Sequence, residues 1–263
     1  MSPSSPVPTF SARSGPADFL QGLALIGRAT GLIFRTPRLL GLSLLCAAFT
    51  LAALVGLFAL LWMYVPDLLG ALWTRPEPWA GRILWGFVLV LLFLVLFVVG
   101  ASVGVPLVLA PLQDPLSERT EERCGGPAAR PTPFLRSLIL GISHTLARAF
   151  FLFLGLAVIL PLNLVPGVGN MAWVVLGALW TMLWLAGEHL AAPMTRHQYP
   201  FAEVRRVMRL RWPLCLGFGA GVYVLLWLPL LNNFFLPVAV VGGTLLYRGL
   251  LAAGTIPLPP DGK

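Results

Sequence analysis

The 263-residue chain has four asparagines, and all of them fall in two short breaks rich in proline and glycine. The first break is Pro161-Leu-Asn163-Leu-Val-Pro166-Gly167-Val-Gly169-Asn170, and the second is Pro229-Leu-Leu-Asn232-Asn233-Phe-Phe-Leu-Pro237. Asparagine amides replace part of an ion's hydration shell. A helix that starts just after such a break also directs free N–H groups and a positive dipole end at an anion. Asn163, Gly167, Gly169, Asn170, Asn232 and Asn233 are therefore candidate anion-binding positions. The plainer reading is that the same residues cap and turn interrupted helices, and the two readings are compatible. Arg35 and Arg38 flank Pro37. Two guanidinium forks at that spacing suit a dianion, and equally serve as anchors beside a membrane. His144 and Arg148, four apart, share one helix face and read as a headgroup-level pair.

No chemistry of bond making is visible. The sequence has no HExxH, GxSxG, phosphate-binding loop or dinucleotide fingerprint, so neither an enzyme nor a cofactor is expected. Glu188 and His189 are adjacent, which turns their side chains about 100° apart on a helix and makes no dyad. Cys46, Cys124 and Cys215 show no metal-binding spacing and no even count for a disulfide framework.

These residues must be positioned by apolar helices. Hydrophobic residues are 58% of the chain, charged residues 11%, and mean hydropathy is +0.86. A soluble fold of this size cannot hide that much apolar surface, so part of the chain has lipid as its solvent. The net charge of +8 comes from 17 Arg and one Lys against ten acids. In this setting it reads as cytoplasmic-side arginine, with no nucleic-acid partner.

Four stretches lack charge: Leu39–Pro66, Ile83–Gln113, Ala149–Gly187 and Trp212–Tyr247. The first two predict ordinary spans over Leu39–Val65 and Ile83–Leu109, each roughly 40 Å long at 1.5 Å per residue. The other two contain the breaks. Their arms, Ala149–Leu160, Asn170–Gly187, Trp212–Leu228 and Val238–Tyr247, include two that reach only about half a bilayer. Two re-entrant hairpins are favoured over full spans, and paired interruptions of this kind point to a transport site. Both alternatives return the chain to one side. With both termini cytoplasmic, 15 arginines fall inside and two, Arg75 and Arg82, outside.

Residues 17–35 predict an interfacial amphipathic helix with Phe19, Leu23, Ile26 and Ile33 on one face. Phe201–Arg211 predicts a short basic helix near headgroups. Residues 1–16, rich in Ser and Pro, read as a disordered tail, 17–252 as a single helical membrane domain and 253–263 as a second tail.

The ordered motifs FLQG, APLQDPLSERTEER, LPLNLVPGVGN, APMTRHQYPFAEVRRVMRLR and LGFGAGVYVLLWLPLLNNFFLPVAVVGGTLLY resemble the CysZ-type sulfate permeases and the wider group of etoposide-induced membrane proteins. The resemblance covers about residues 18–250. It implies an all-α integral membrane protein of the bacterial inner membrane, with two spans, two half-penetrating hairpins, homo-oligomers and sulfate uptake for cysteine synthesis. Where that family carries an Arg pair before the first span, this chain has Pro37-Arg38-Leu39-Leu40-Gly41, with Arg35 nearby. Two functions stay open: a permease or channel for a small oxyanion, and a non-transporting protein that organises the membrane.

Overall fold

The computed structural model describes residues 7–10, 15–74, 76–101, 115–126, 146–147, 150–165, 167–226 and 232–258, the first three residues of the last segment by backbone alone. Among these residues the secondary structure is helical throughout, with no strand. The helices are α1 (Ala17–Arg35), α2 (Pro37–Leu72), α3 (Trp79–Val99), α4 (115–123), α5 (Phe150–Leu164, its last turn 3-10 over Leu160–Leu164), α6 (Val168–Arg196), α7 (Phe201–Leu210), α8 (Trp212–Leu226) and α9 (Asn232–Ala252). The chain divides into two compact units, one of Leu44–Gln113 and one of Met1–Ser43 with Asp114–Lys263.

In the smaller unit, α2 and α3 run antiparallel. Phe58 and Trp62 of α2 meet Phe93 and Phe97 of α3, the Phe58 and Phe93 rings lying edge-to-face at 5.3 Å. Trp85 Nε1 donates to the Trp73 carbonyl at 3.1 Å across the turn. No residue of α3 is buried, although its 21 residues are almost wholly apolar. Such a helix needs lipid or another apolar partner around it. α2 is longer than the expected span: it continues through Pro66 to Leu72, 36 residues or roughly 54 Å. Pro66 removes one backbone bond, at the Trp62 carbonyl, and the Leu- and Ala-rich sequence beyond it resumes the helix. The part of the second expected span beyond Ala101 lies outside the described residues.

The larger unit holds the core, drawn from α1, α4, the second half of α6, α7, α8 and α9. α1 packs into the unit along a line other than its predicted membrane-facing stripe. Of Phe19, Leu23, Ile26 and Ile33, only Ile33 is buried; the buried line is Asp18, Gly22, Leu25, Ala29 and Ile33. The cause is backbone contact with α8. A Cβ on Gly22 would strike the Leu214 carbonyl, and one on Gly217 the Phe19 carbonyl. The helix docks through its smallest residues because they let two backbones touch.

The two broken runs take different roles. Of α5 and the first half of α6, nearly every described apolar side chain is exposed or half-exposed, including Phe150, Phe153, Val158, Leu164, Val168, Met171 and Val175. α8 and α9 are buried in the core. The arms also differ from expectation. α6 extends to Arg196, well past Gly187, and α9 starts at Asn232, so Asn232–Pro237 of the second predicted break belong to its first turns. Pro237 is tolerated there because it forfeits only the bond to the Asn233 carbonyl. Composition read residues 1–16 and 253–263 as tails. At Pro8 and Phe10, which lie against Gly249, and at Ile256, which is 2% exposed, those stretches pack onto the unit.

Candidate functional site

α4 presents two faces. Leu116, Ser117, Thr120, Glu121 and Cys124 point inward, whereas Glu118, Arg119, Glu122 and Arg123 point outward, the spacing an α-helix imposes. The inward face is pinned by polar contacts. The Ser117 and Thr244 hydroxyls lie 2.8 Å apart, Arg248 Nη2 donates to the Cys124 carbonyl at 3.3 Å, and Glu121 meets two partners. Its Oε1 is 2.7 Å from His197 Nε2 and its Oε2 accepts from Arg196 Nη1 at 3.3 Å, with the Glu121 side chain 4% exposed. His197 stacks on Tyr247 at 5.6 Å. Burial pushes the Cys124 thiol up to about 11, partly opposed by the Arg248 charge. Burial likewise raises Tyr199, whose hydroxyl donates to the Pro257 carbonyl at 2.6 Å.

With that face fixed, the outer face of α4 lines a groove of about 450 Å³ together with Thr36, Pro37, Arg38 and Leu39. Arg119, Arg123 and Arg38 converge there, with Glu122 bonded to Arg119 at 3.0 Å. A second depression of about 380 Å³ continues along Arg38, Gly41, Leu42, Pro115 and Arg119. The groove also meets the start of α2. Thr36 is extended because a proline follows it, and Pro37 begins the helix where no N–H is needed. The first backbone bond of α2 runs from Leu40 N–H to the Thr36 carbonyl at 3.0 Å, so the N–H groups of Arg38 and Leu39 precede the ladder. Three guanidiniums, one carboxylate and a helix N-terminus make a site of two net positive charges, the chemistry of a small dianion.

Of the residues singled out from sequence, Arg38 lies in this groove. Arg35, in the exposed last turn of α1, lines neither depression. Asn163, Gly167, Gly169 and Asn170 form the α5–α6 turn and line neither. Gly167 has φ of +78°, a conformation open to glycine, and a Cβ on Gly169 would strike the Leu162 carbonyl. Asn163 and Asn170 are exposed. Asn232 and Asn233 open α9; their side chains, like His144 and Arg148, lie outside the described residues. His189 packs edge-on against Phe218. Sequence reasoning missed Arg119 and Arg123. The signal was Leu116, Thr120 and Cys124 recurring every four residues, which leaves the intervening charges on the other face.

Five of the described helices are long and apolar enough to cross a membrane, which defines the class as α-helical multi-pass membrane protein, here with a basic groove at Arg38, Arg119 and Arg123. Within that class, the family model described as sulfate transporter CysZ/etoposide-induced protein 2.4 matches residues 25–237, and the chain belongs to that family.

Proposed function

We propose that this chain is a permease for a small oxyanion, sulfate first, that captures its substrate in the groove of Arg38, Arg119 and Arg123. The observation that carries the reading is the convergence of three guanidiniums on the first turn of a long apolar helix, in a chain of a sulfate-transporter family. A groove of about 450 Å³ leaves room for a small anion together with hydration water. The groove therefore receives a hydrated anion and concentrates it; selection by dehydration belongs deeper in the path. No bond is made or broken, so the function is movement and not catalysis.

The exposed hairpin supports partial penetration. α5 counts 10 α-helical and five 3-10 residues, or roughly 25 Å. Residues 168–184 of α6 give a similar length before the helix enters the core. The described part of α5, which follows helical residues at 146–147, and the exposed part of α6 are each shorter than a ~30 Å hydrocarbon layer. Asn163 and Asn170 at the turn would then lie within the membrane. The arginine asymmetry supports a cytoplasmic-side location of the termini and the groove, in an inner membrane.

The test is sulfate flux into liposomes holding purified protein, wild type beside Arg38→Ala/Arg119→Ala. Flux in the wild type and its loss in the double variant support the reading. Equal flux in both moves the site elsewhere, and no flux in either, with protein folded and inserted, leaves the organising role.

A further inference from the structure

The exposed face of α7 carries Arg205, Arg206 and Arg209, and beyond it stand exposed Leu210 and Trp212. Its other face, Val204 and Val207, is buried in the core, so the orientation of the arginines is fixed. The three are not equivalent. Arg206 Nη1 bonds Glu203 Oε1 at 2.7 Å. Arg205 has no acidic partner among the described residues; its guanidinium lies 4.7 Å above the Phe151 ring and 5.8 Å from the Phe201 ring. Phe151 belongs to α5 and touches Phe150 edge-to-face at 5.7 Å. From Phe150 an exposed apolar stripe, Phe150, Phe153, Leu154 and Val158, runs along α5 at one-face spacing.

Arg205 thus stands where an exposed apolar surface meets an exposed basic one. Stacking on a ring holds the guanidinium plane and leaves its N–H edges for an acceptor. Trp212, just past the end of α7, is exposed, and tryptophan is the residue type that settles at the membrane–water boundary. A soluble anion has no use for the apolar stripe, and an acidic protein has none for a face matched to acyl chains.

We propose that Arg205 and Arg209, with the Phe151 ring as platform, bind the headgroup phosphate of an anionic phospholipid whose acyl chain lies along Phe150, Phe153, Leu154 and Val158. Arg206, already occupied by Glu203, contributes field and not direct contact. The site is separate from the Arg38–Arg119–Arg123 groove, so either proposal can fail alone.

The experiment uses the full chain purified from vesicles of phosphatidylcholine and phosphatidylglycerol mixed equally, with retained lipid counted by mass spectrometry. Wild type should retain phosphatidylglycerol preferentially. Near-surface arginines contribute about five-fold each, so Arg205→Ala/Arg209→Ala should lose about 25-fold of that preference. Arg205→Lys keeps the charge and loses the stacked fork; it should fall between the two while melting like wild type. Equal retention of both lipids by wild type would overturn the proposal. So would an undiminished preference in the double variant, or complete displacement of the lipid by millimolar inorganic phosphate, which would make the patch a soluble-anion site.

Discussion

His197 Nε2 lies 2.7 Å from Glu121 Oε1, across 76 residues of sequence and almost out of solvent. Arg196 closes the other carboxylate oxygen at 3.3 Å. This cluster holds α4 to the segment between α6 and α7, and α4 carries Arg119 and Arg123 two residues either side of Glu121. The buried carboxylate therefore sets the position of the groove's guanidiniums from behind. Glu121→Ala should remove the acceptor shared by His197 and Arg196 and cost about 1–3 kcal/mol in thermal or denaturant unfolding. Glu121→Gln, which keeps a hydrogen-bonding amide, should cost less, and sulfate affinity should fall in the same order. A melting curve unchanged by Glu121→Ala would refute the positioning role.

The groove itself contains a competitor. Glu122 holds Arg119 at 3.0 Å, in a pair whose side chains are 56% and 46% exposed. An exposed pair contributes only about 0.2–1 kcal/mol to stability. Glu122→Gln should thus leave melting unchanged and tighten sulfate binding several-fold, because Arg119 is released and one negative charge is removed. Isothermal titration at low salt reads both the affinity and its loss on raising ionic strength.

Asp18 and Arg211 form a second buried pair, with Nη2 at 2.9 Å and Nε at 3.1 Å from Asp18 Oδ2, 193 residues apart. Their side chains are 2% and 3% exposed. Asp18→Ala should destabilise by about 3–5 kcal/mol, whereas Asp18→Leu/Arg211→Met should recover most of that loss, since neither charge is then stranded. A double variant as unstable as the single would show that the pair itself is required.

Where α1 meets α8, a single methyl decides. Gly217→Ala puts a Cβ into the Phe19 carbonyl and should cost about 1–3 kcal/mol by forcing the helices apart. Gly27→Ala and Gly31→Ala, on the open side of α1 with nothing within 4 Å, should stabilise by about 0.5–1 kcal/mol. Equal effects at Gly217 and Gly27 would contradict the close approach.

The Cys124 thiol, pushed by burial up to about 11 from 9.0, links stability to alkaline pH. Below the unfolded value the thiol is neutral in both states and its contribution is complete. As pH rises from about 9 through about 11 the unfolded chain ionises first, and that contribution is lost. Mapped alkylation should show Cys124 of the folded protein reacting slowly at pH 9, where an unfolded control already reacts. Matching rates would mean the thiol is not held in its buried site.

The amino-acid sequence by itself determined the solvent and the first helical break. A chain with 58% hydrophobic residues and long charge-free runs must be helical in lipid, because every backbone N–H and C=O there needs an internal partner. The first break was readable for a local reason: Gly167 needs a positive φ and Gly169 a missing Cβ, and both needs are met within a few residues. The start of α2 at Pro37 was local in the same way. Only the tertiary structure decided which face of α1 is buried, because the choice rests on Gly22 meeting the α8 backbone at Leu214 and Gly217 meeting the α1 backbone at Phe19. It alone also brought Arg38 to Arg119 and Arg123. Guanidiniums repel one another and carry no periodic signature, so their convergence depends on Leu116, Ser117 and Glu121 being held from behind by Thr244, Arg196 and His197, residues no local pattern connects to them.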